Sequence, residues 1–249
     1  MTPSEWVEAL GPHSTPEDVA PLLDHPKTDQ AHLLKLLRKR ELPSSILEAV
    51  AHHPRWDGRH PIRAAIVLHA KTPRTLSLRL LSLLLWRDQL RVATDMRLHM
   101  PLRAAAESRL KERLPELELG EKISLARSAP PGLLSVLAGD ESHRVVAALL
   151  SNQRLLEADV LAIVRREKTP AEVLRVVAGS ERWISRPSIR AGVLCHPRTP
   201  VHSALRLLAG LPAWEIRKLI AEKPLPPVVR FGAERILSGE NTSGRGRAR

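Results

Sequence analysis

Residues 55–73 read Arg-Trp-Asp-Gly-Arg-His-Pro-Ile-Arg-Ala-Ala-Ile-Val-Leu-His-Ala-Lys-Thr-Pro. Residues 182–200 read Arg-Trp-Ile-Ser-Arg-Pro-Ser-Ile-Arg-Ala-Gly-Val-Leu-Cys-His-Pro-Arg-Thr-Pro, and nine of the nineteen positions are identical without a gap. Trp56/Trp183, Arg63/Arg190, His69/His196 and Pro73/Pro200 all fall in one register, 127 residues apart. The same offset pairs Leu10 with Leu137, Pro43 with Pro170, Leu80 with Leu207, Arg103 with Arg230 and Ala106 with Ala233. Such self-similarity points to an internal duplication, so the chain is expected to build one supersecondary arrangement twice. The halves run over 1–113 and 128–237, and a locally acidic segment, 114–127, connects them. Residues 238–249 lose apolar periodicity and read as a disordered basic tail.

A shorter period lies inside each half. Thr15-Pro16, Leu42-Pro43, Thr72-Pro73 and Met100-Pro101 recur at steps of 27, 30 and 28 residues, and Thr169-Pro170 and Thr199-Pro200 stand 30 apart. Threonine before proline predicts a helix start: the hydroxyl accepts from an orphan N–H, and proline at the first helical position has no N–H to leave unpaired. Thr2 with Glu5 and Thr169 with Glu172 have the spacing of capping boxes. His25-Pro26, His53-Pro54 and His196-Pro197 predict helix ends, because proline disfavours helical geometry in the residue before it. Between these marks the apolar spacing is helical, as in Val19, Leu22 and Leu23 or Ile46, Leu47 and Val50. Each step therefore holds two short helices, which must stack on neighbours to bury their faces. The expected fold is all-α: a right-handed α-solenoid of stacked helix pairs, about four in each duplicated half.

Composition agrees with helices and removes several function classes. Aromatics are 2% of the 249 residues, with no tyrosine and a single phenylalanine, whereas leucine dominates. One cysteine, Cys195, excludes an internal disulfide and every Cys-x-x-Cys motif. The acidic, proline-interrupted start has no signal-peptide h-region, and no apolar run is long enough to span a bilayer, so a cytoplasmic location is expected. A net charge of +12 biases the chain toward acidic partners.

Residues 137–150, Leu-Ala-Gly-Asp-Glu-Ser-His-Arg-Val-Val-Ala-Ala-Leu-Leu, carry a family likeness. So does Val-Val-Ala-Gly-Ser-Glu-Arg-Trp, at 176–183, with the Ile-Arg-Ala-Gly-Val-Leu-Cys-His-Pro-Arg-Thr-Pro that follows at 189–200. These units resemble the leucine-rich repeat variant and HEAT-like families. The resemblance covers most of the chain and implies a superhelical scaffold that binds proteins or nucleic acid; a few HEAT-like members are DNA glycosylases. The cysteine cluster that binds iron and sulfur in some leucine-rich repeat variant proteins has no counterpart here.

The densest basic stretch, Arg55 to Arg91, interleaves arginines with Trp56 and Trp86. Guanidinium forks suit phosphates and carboxylates, and flat rings suit bases. Arg55, Trp56, Arg59 and Arg74, with Arg182, Trp183, Arg186 and Arg198 in the second half, are thus the candidate partner-binding residues. For the two tryptophans, retention in both copies argues equally for packing, and Arg63 and Arg190 read as structural. Lys35, Arg38, Lys39 and Arg40 are explained by the negative end of a helix dipole, as is Arg165-Arg166-Glu167-Lys168. The histidines His52, His53, His60 and His69 read as helix-end residues and not as metal ligands, and no cofactor is expected. No phosphate loop, nucleophile elbow or zinc motif occurs, and Cys195 reads as a buried apolar thiol. The expected function is a non-catalytic scaffold that docks an acidic protein or a nucleic-acid backbone. The alternative is a HEAT-like glycosylase acting on alkylated DNA, with Asp57 beside Trp56 as its acid.

Overall fold

The computed structural model describes residues 1–245, with side chains through Gly239. Nineteen α-helices and one 3-10 turn run through these residues, and among them there is no strand. The chain divides into two compact units, Met1–Glu116 and Leu117–Arg249.

The first unit comprises α1 (Pro3–Ala9), α2 (Pro16–Asp24), α3 (Gln30–Leu37), α4 (Ser44–His52), α5 (Pro54–Asp57), α6 (His60–Val67), α7 (Arg74–Leu81), α8 (Trp86–Thr94) and α9 (Met100–Arg113). Helices this short are marginal in isolation, so tertiary packing must hold them. In α2 the i, i+3, i+4 set Val19, Leu22 and Leu23 is buried, and in α4 Ile46, Leu47 and Val50 are wholly buried. Each such side chain contributes about 1.5–3 kcal/mol when removed from water. α1 packs on α3, α2 on α4, α3 and α4 on α6, and α7 and α8 on α9.

Local signals set the ends. Thr2 accepts from the Glu5 N–H at 3.4 Å while the Glu5 carboxylate accepts from the Thr2 N–H at 2.8 Å, the expected capping box. Thr15 caps α2, with the Asp18 carboxylate accepting from its N–H at 2.8 Å. His25, His53 and His196 each terminate a helix ahead of proline, as expected. Three other threonines differ from the reading made of them. Thr72, Thr169 and Thr199 do not cap the helix that follows; Pro73, Pro170 and Pro200 occupy that position. Their buried hydroxyls turn back and donate to the carbonyls of Ile66, Ile163 and Val193, six residues earlier, at 2.5–2.6 Å. The same carbonyls accept the backbone N–H of His69, Arg166 and His196, so each threonine adds a second, shorter bond at the helix end. The Thr169–Glu172 capping box is accordingly not formed.

The second unit comprises α10 (Leu119–Ser128), α11 (Pro131–Leu137), α12 (His143–Leu150), α13 (Glu157–Arg165), α14 (Ala171–Gly179), α15 (Glu181–Ile184), α16 (Pro187–Cys195), α17 (Val201–Ala209), α18 (Ala213–Glu222) and α19 (Pro227–Arg245). The 114–127 stretch is not a bare connector. Leu114–Glu116 forms the 3-10 turn, and α10 buries Leu125 and Ala126 against α12. Its acidic composition hid an apolar face of two residues. Likewise α19 continues past Ser238 into the stretch read as a disordered tail, and residues 246–249 of that tail lie outside the described residues.

Candidate functional site

A ladder of side chain to backbone hydrogen bonds in each unit ties segments of the chain about thirty residues apart. Trp56 donates its indole N–H to the Leu23 carbonyl at 3.0 Å, and Trp183 donates to Leu150 at 2.8 Å. Arg55 donates to the carbonyls of His25 at 2.9 Å and Thr28 at 2.7 Å, and Arg182 to that of Asn152 at 3.1 Å. His69 donates from Nε2 to the Lys39 carbonyl at 3.0 Å and accepts at Nδ1 from the Lys71 N–H; His196 does the same with Arg166 and Arg198. Lys71 and Arg198 donate to the carbonyls of Glu41 and Lys168. The Trp56, His69 and Lys71 rungs and the Arg55–His25 rung each have a counterpart in the other unit, with donor and acceptor both displaced by 127 residues. The acceptors lie at helix ends and in the loops after them, where backbone carbonyls have no partner within the helix.

This ladder reassigns most of the arginine and tryptophan candidates. Trp56 and Trp183 are 2% and 1% exposed and offer no flat surface to a partner. Arg55 and Arg182 lie over those rings at 4.6 and 4.5 Å from the centroids and are spent on carbonyls. Arg198 is a rung. Arg186 pairs with Glu157 at 2.5 Å. Arg59 and Arg74 are exposed, and neither side chain makes a hydrogen bond or ion pair with a described residue. Asp57 is half exposed and lies 3.7 Å from the Arg63 guanidinium. Arg190 holds Glu215 through two nitrogens, with both side chains largely buried. Cys195 is half-buried, and burial pushes its thiol above the ordinary value. Among the described residues no group of three or more histidine, cysteine or acidic side chains is placed to hold a metal ion.

Sequence reasoning missed a cleft of about 640 Å³ in the first unit, bordered by α3, α6, α8 and the loops that follow them. Leu34, Leu37, Ala65, Leu68 and Ala70 give it a low apolar floor, and Arg38, Arg40, Arg91 and Arg97 rise around it. Two of the four arginines are neutralised. Arg91 donates to Asp88 at 3.0 Å, and Asp88 also holds His60 at 2.8 Å. Arg97 grips the Asp95 carboxylate at 2.6 Å and holds it below the ordinary carboxylate value. Arg38 and Arg40 are exposed and make no side-chain bond with any described residue. Lys39 between them points away, donating to the Leu10 carbonyl at 2.8 Å, while His69 clamps its carbonyl. A helix-end habit accounts for Lys39 but leaves the two flanking guanidinium groups unused. The signal in the sequence was Arg40 standing opposite Glu167 in the 127 register, a charge reversal inside an otherwise basic cluster.

Among the described residues no helix is long and apolar enough to cross a membrane. No protein-family model, curated protein or solved structure matches the chain.

Proposed function

We propose that this chain is a non-catalytic helical-repeat scaffold that binds an acidic partner, a protein surface or a nucleic-acid backbone, through the basic cleft of its first unit. We take the architecture as an α-solenoid of helix pairs in two duplicated halves, a reading supported by the matched rungs at one 127-residue offset. The observation that carries the binding role is the pair Arg38 and Arg40: two unpaired guanidinium groups at the edge of a cleft, on a loop anchored by His69 and Lys39. Charge-assisted bonds from guanidinium donors to carboxylate or phosphate are roughly twice as strong as neutral hydrogen bonds.

The glycosylase alternative finds no support in the geometry. Trp56 is buried, Asp57 faces Arg63 at 3.7 Å, and neither lines the cleft. The test is fluorescence anisotropy with a labelled polyglutamate peptide and a short DNA duplex across a salt series. Binding of either that weakens with salt, and weakens further in Arg38→Ala and Arg40→Ala, is expected. Absence of binding by both at low salt refutes the proposal.

A further inference from the structure

Resting on the cleft-binding role proposed above, we infer that the occupant is an acidic peptide segment that lays apolar side chains along α6 and a carboxylate against Arg38 and Arg40. The floor selects the class. Leu34, Ala65 and Leu68 present short, partly exposed apolar surface, which aliphatic side chains cover more fully than the highly charged sugar-phosphate edge of a duplex. No tryptophan or phenylalanine lines the cleft, and of its two imidazoles His60 is held by Asp88 and His69 by the Lys39 carbonyl. The eight residues of α6 extend about 12 Å, the length of two helical turns or of about four residues of extended peptide.

Charge gives the occupant a direction. Asp88 neutralises Arg91 and bonds His60, and Asp95 neutralises Arg97, so the uncompensated positive charge lies at Arg38 and Arg40 alone. A segment with apolar residues at one end and carboxylates at the other matches that polarity. The second unit has dismantled the same arrangement in the 127 register. Glu167 stands for Arg40 and Pro187 for His60, and Arg190 has closed on the glutamate that replaces Asp88. Gly192 replaces Ala65, and a Cβ there would lie 2.8 Å from Val164 Cγ1, so α16 approaches α13 too closely at this position for the alanine of the first unit. Much of the backbone ladder recurs in both units while residues that line the cleft are replaced in the second, which separates the binding residues from the structural ones.

The test uses the full chain and three labelled probes at constant ionic strength: a glutamate-rich peptide with a central Leu-Leu pair, the same peptide with Ser-Ser, and a short DNA duplex. The leucine peptide is expected to bind at least about tenfold more tightly than the serine peptide, from burial of two side chains. Arg40→Glu is expected to weaken it by about tenfold or more, through loss of a charge-assisted bond and the reversed charge. Ala65→Leu and, at a more exposed position, Ala70→Leu fill the floor. Both are expected to weaken the leucine peptide with little effect on the serine peptide, and with an unchanged thermal midpoint by circular dichroism. Arg165→Glu, in the second unit at the register of Arg38, is the charge control and is expected to change affinity by less than about twofold. Equal binding of the two peptides, tighter binding of the duplex, or indifference to both floor variants overturns the peptide assignment and leaves the acidic-partner role standing. No binding of any probe at low salt overturns both.

Discussion

Trp183→Phe tests whether the ladder holds the second unit together. The substitution keeps an aromatic ring but removes the indole N–H that donates to the Leu150 carbonyl at 2.8 Å, at the last residue of α12. Leu150 is 4% exposed, so water has little access to the abandoned carbonyl. An unsatisfied buried acceptor costs about 1–3 kcal/mol. The smaller ring also leaves part of a fully packed site empty, which adds about 1–2 kcal/mol on the scale of large-to-small core substitutions. The expected loss is therefore about 2–5 kcal/mol. Urea unfolding followed by circular dichroism measures it, with Trp214→Phe as the control. Trp214 is 65% exposed, and its replacement is expected to cost less than about 0.5 kcal/mol. Trp56→Phe should cost nearly the same as Trp183→Phe, since Trp56 meets Leu23 in the same geometry at 3.0 Å. If the two units unfold in separate transitions, Trp56→Phe should move one and Trp183→Phe the other. A Trp183→Phe cost no larger than that of Trp214→Phe would refute the reasoning, because the rung would then contribute nothing beyond an exposed ring.

Three further outcomes follow from the geometry. Thr169→Val removes the hydroxyl that donates to the Ile163 carbonyl, which keeps its bond from the Arg166 N–H, and should cost about 0.5–1.5 kcal/mol in urea unfolding, whereas Thr169→Ser retains the donor and should cost less than Thr169→Val. Gly192→Ala forces a Cβ to within 2.8 Å of Val164 and should destabilise by about 1–3 kcal/mol, while Gly179→Ala, at the last residue of α14 with open space around it, should be neutral or stabilising by up to about 1 kcal/mol. Cys195 is half-buried with its thiol pushed up by desolvation, so the thiolate is scarce at neutral pH. Labelling by a disulfide reagent should be slow in the folded protein, rise with pH toward and above the ordinary thiol value, and become fast in urea; equal rates folded and unfolded would contradict the assigned environment.

Much of the helical framework was legible because its signals are local. Proline after histidine ends α2, α4 and α16, and the i, i+3, i+4 apolar sets of α2 and α4 face the core, because each rule needs no more than neighbouring residues. Thr2 and Thr15 cap the helix ahead as expected, but three other threonines before proline were misread for the complementary reason: a hydroxyl at a helix junction can serve the helix behind it or the one ahead. Packing decided for the earlier carbonyl at Thr72, Thr169 and Thr199. The acidic 114–127 segment was misread because two apolar residues, Leu125 and Ala126, suffice to dock α10 once α12 provides a surface.

The candidate site divides along the same line. Sequence alone determined the 127-residue register and the residue types that recur in it, since self-similarity is a property of the chain whatever its fold. It could not decide which recurring arginines were spent. Arg55 and Arg182 find carbonyls about thirty residues earlier in the chain, and Trp56 and Trp183 bury their rings beneath them, so the most conspicuous basic and aromatic pairs are structural. Arg38 and Arg40, which a helix dipole accounted for in sequence, are the two left unpaired at the cleft. Whether a guanidinium is available depends on the carbonyls and carboxylates within reach of its long side chain, and only tertiary structure supplies those.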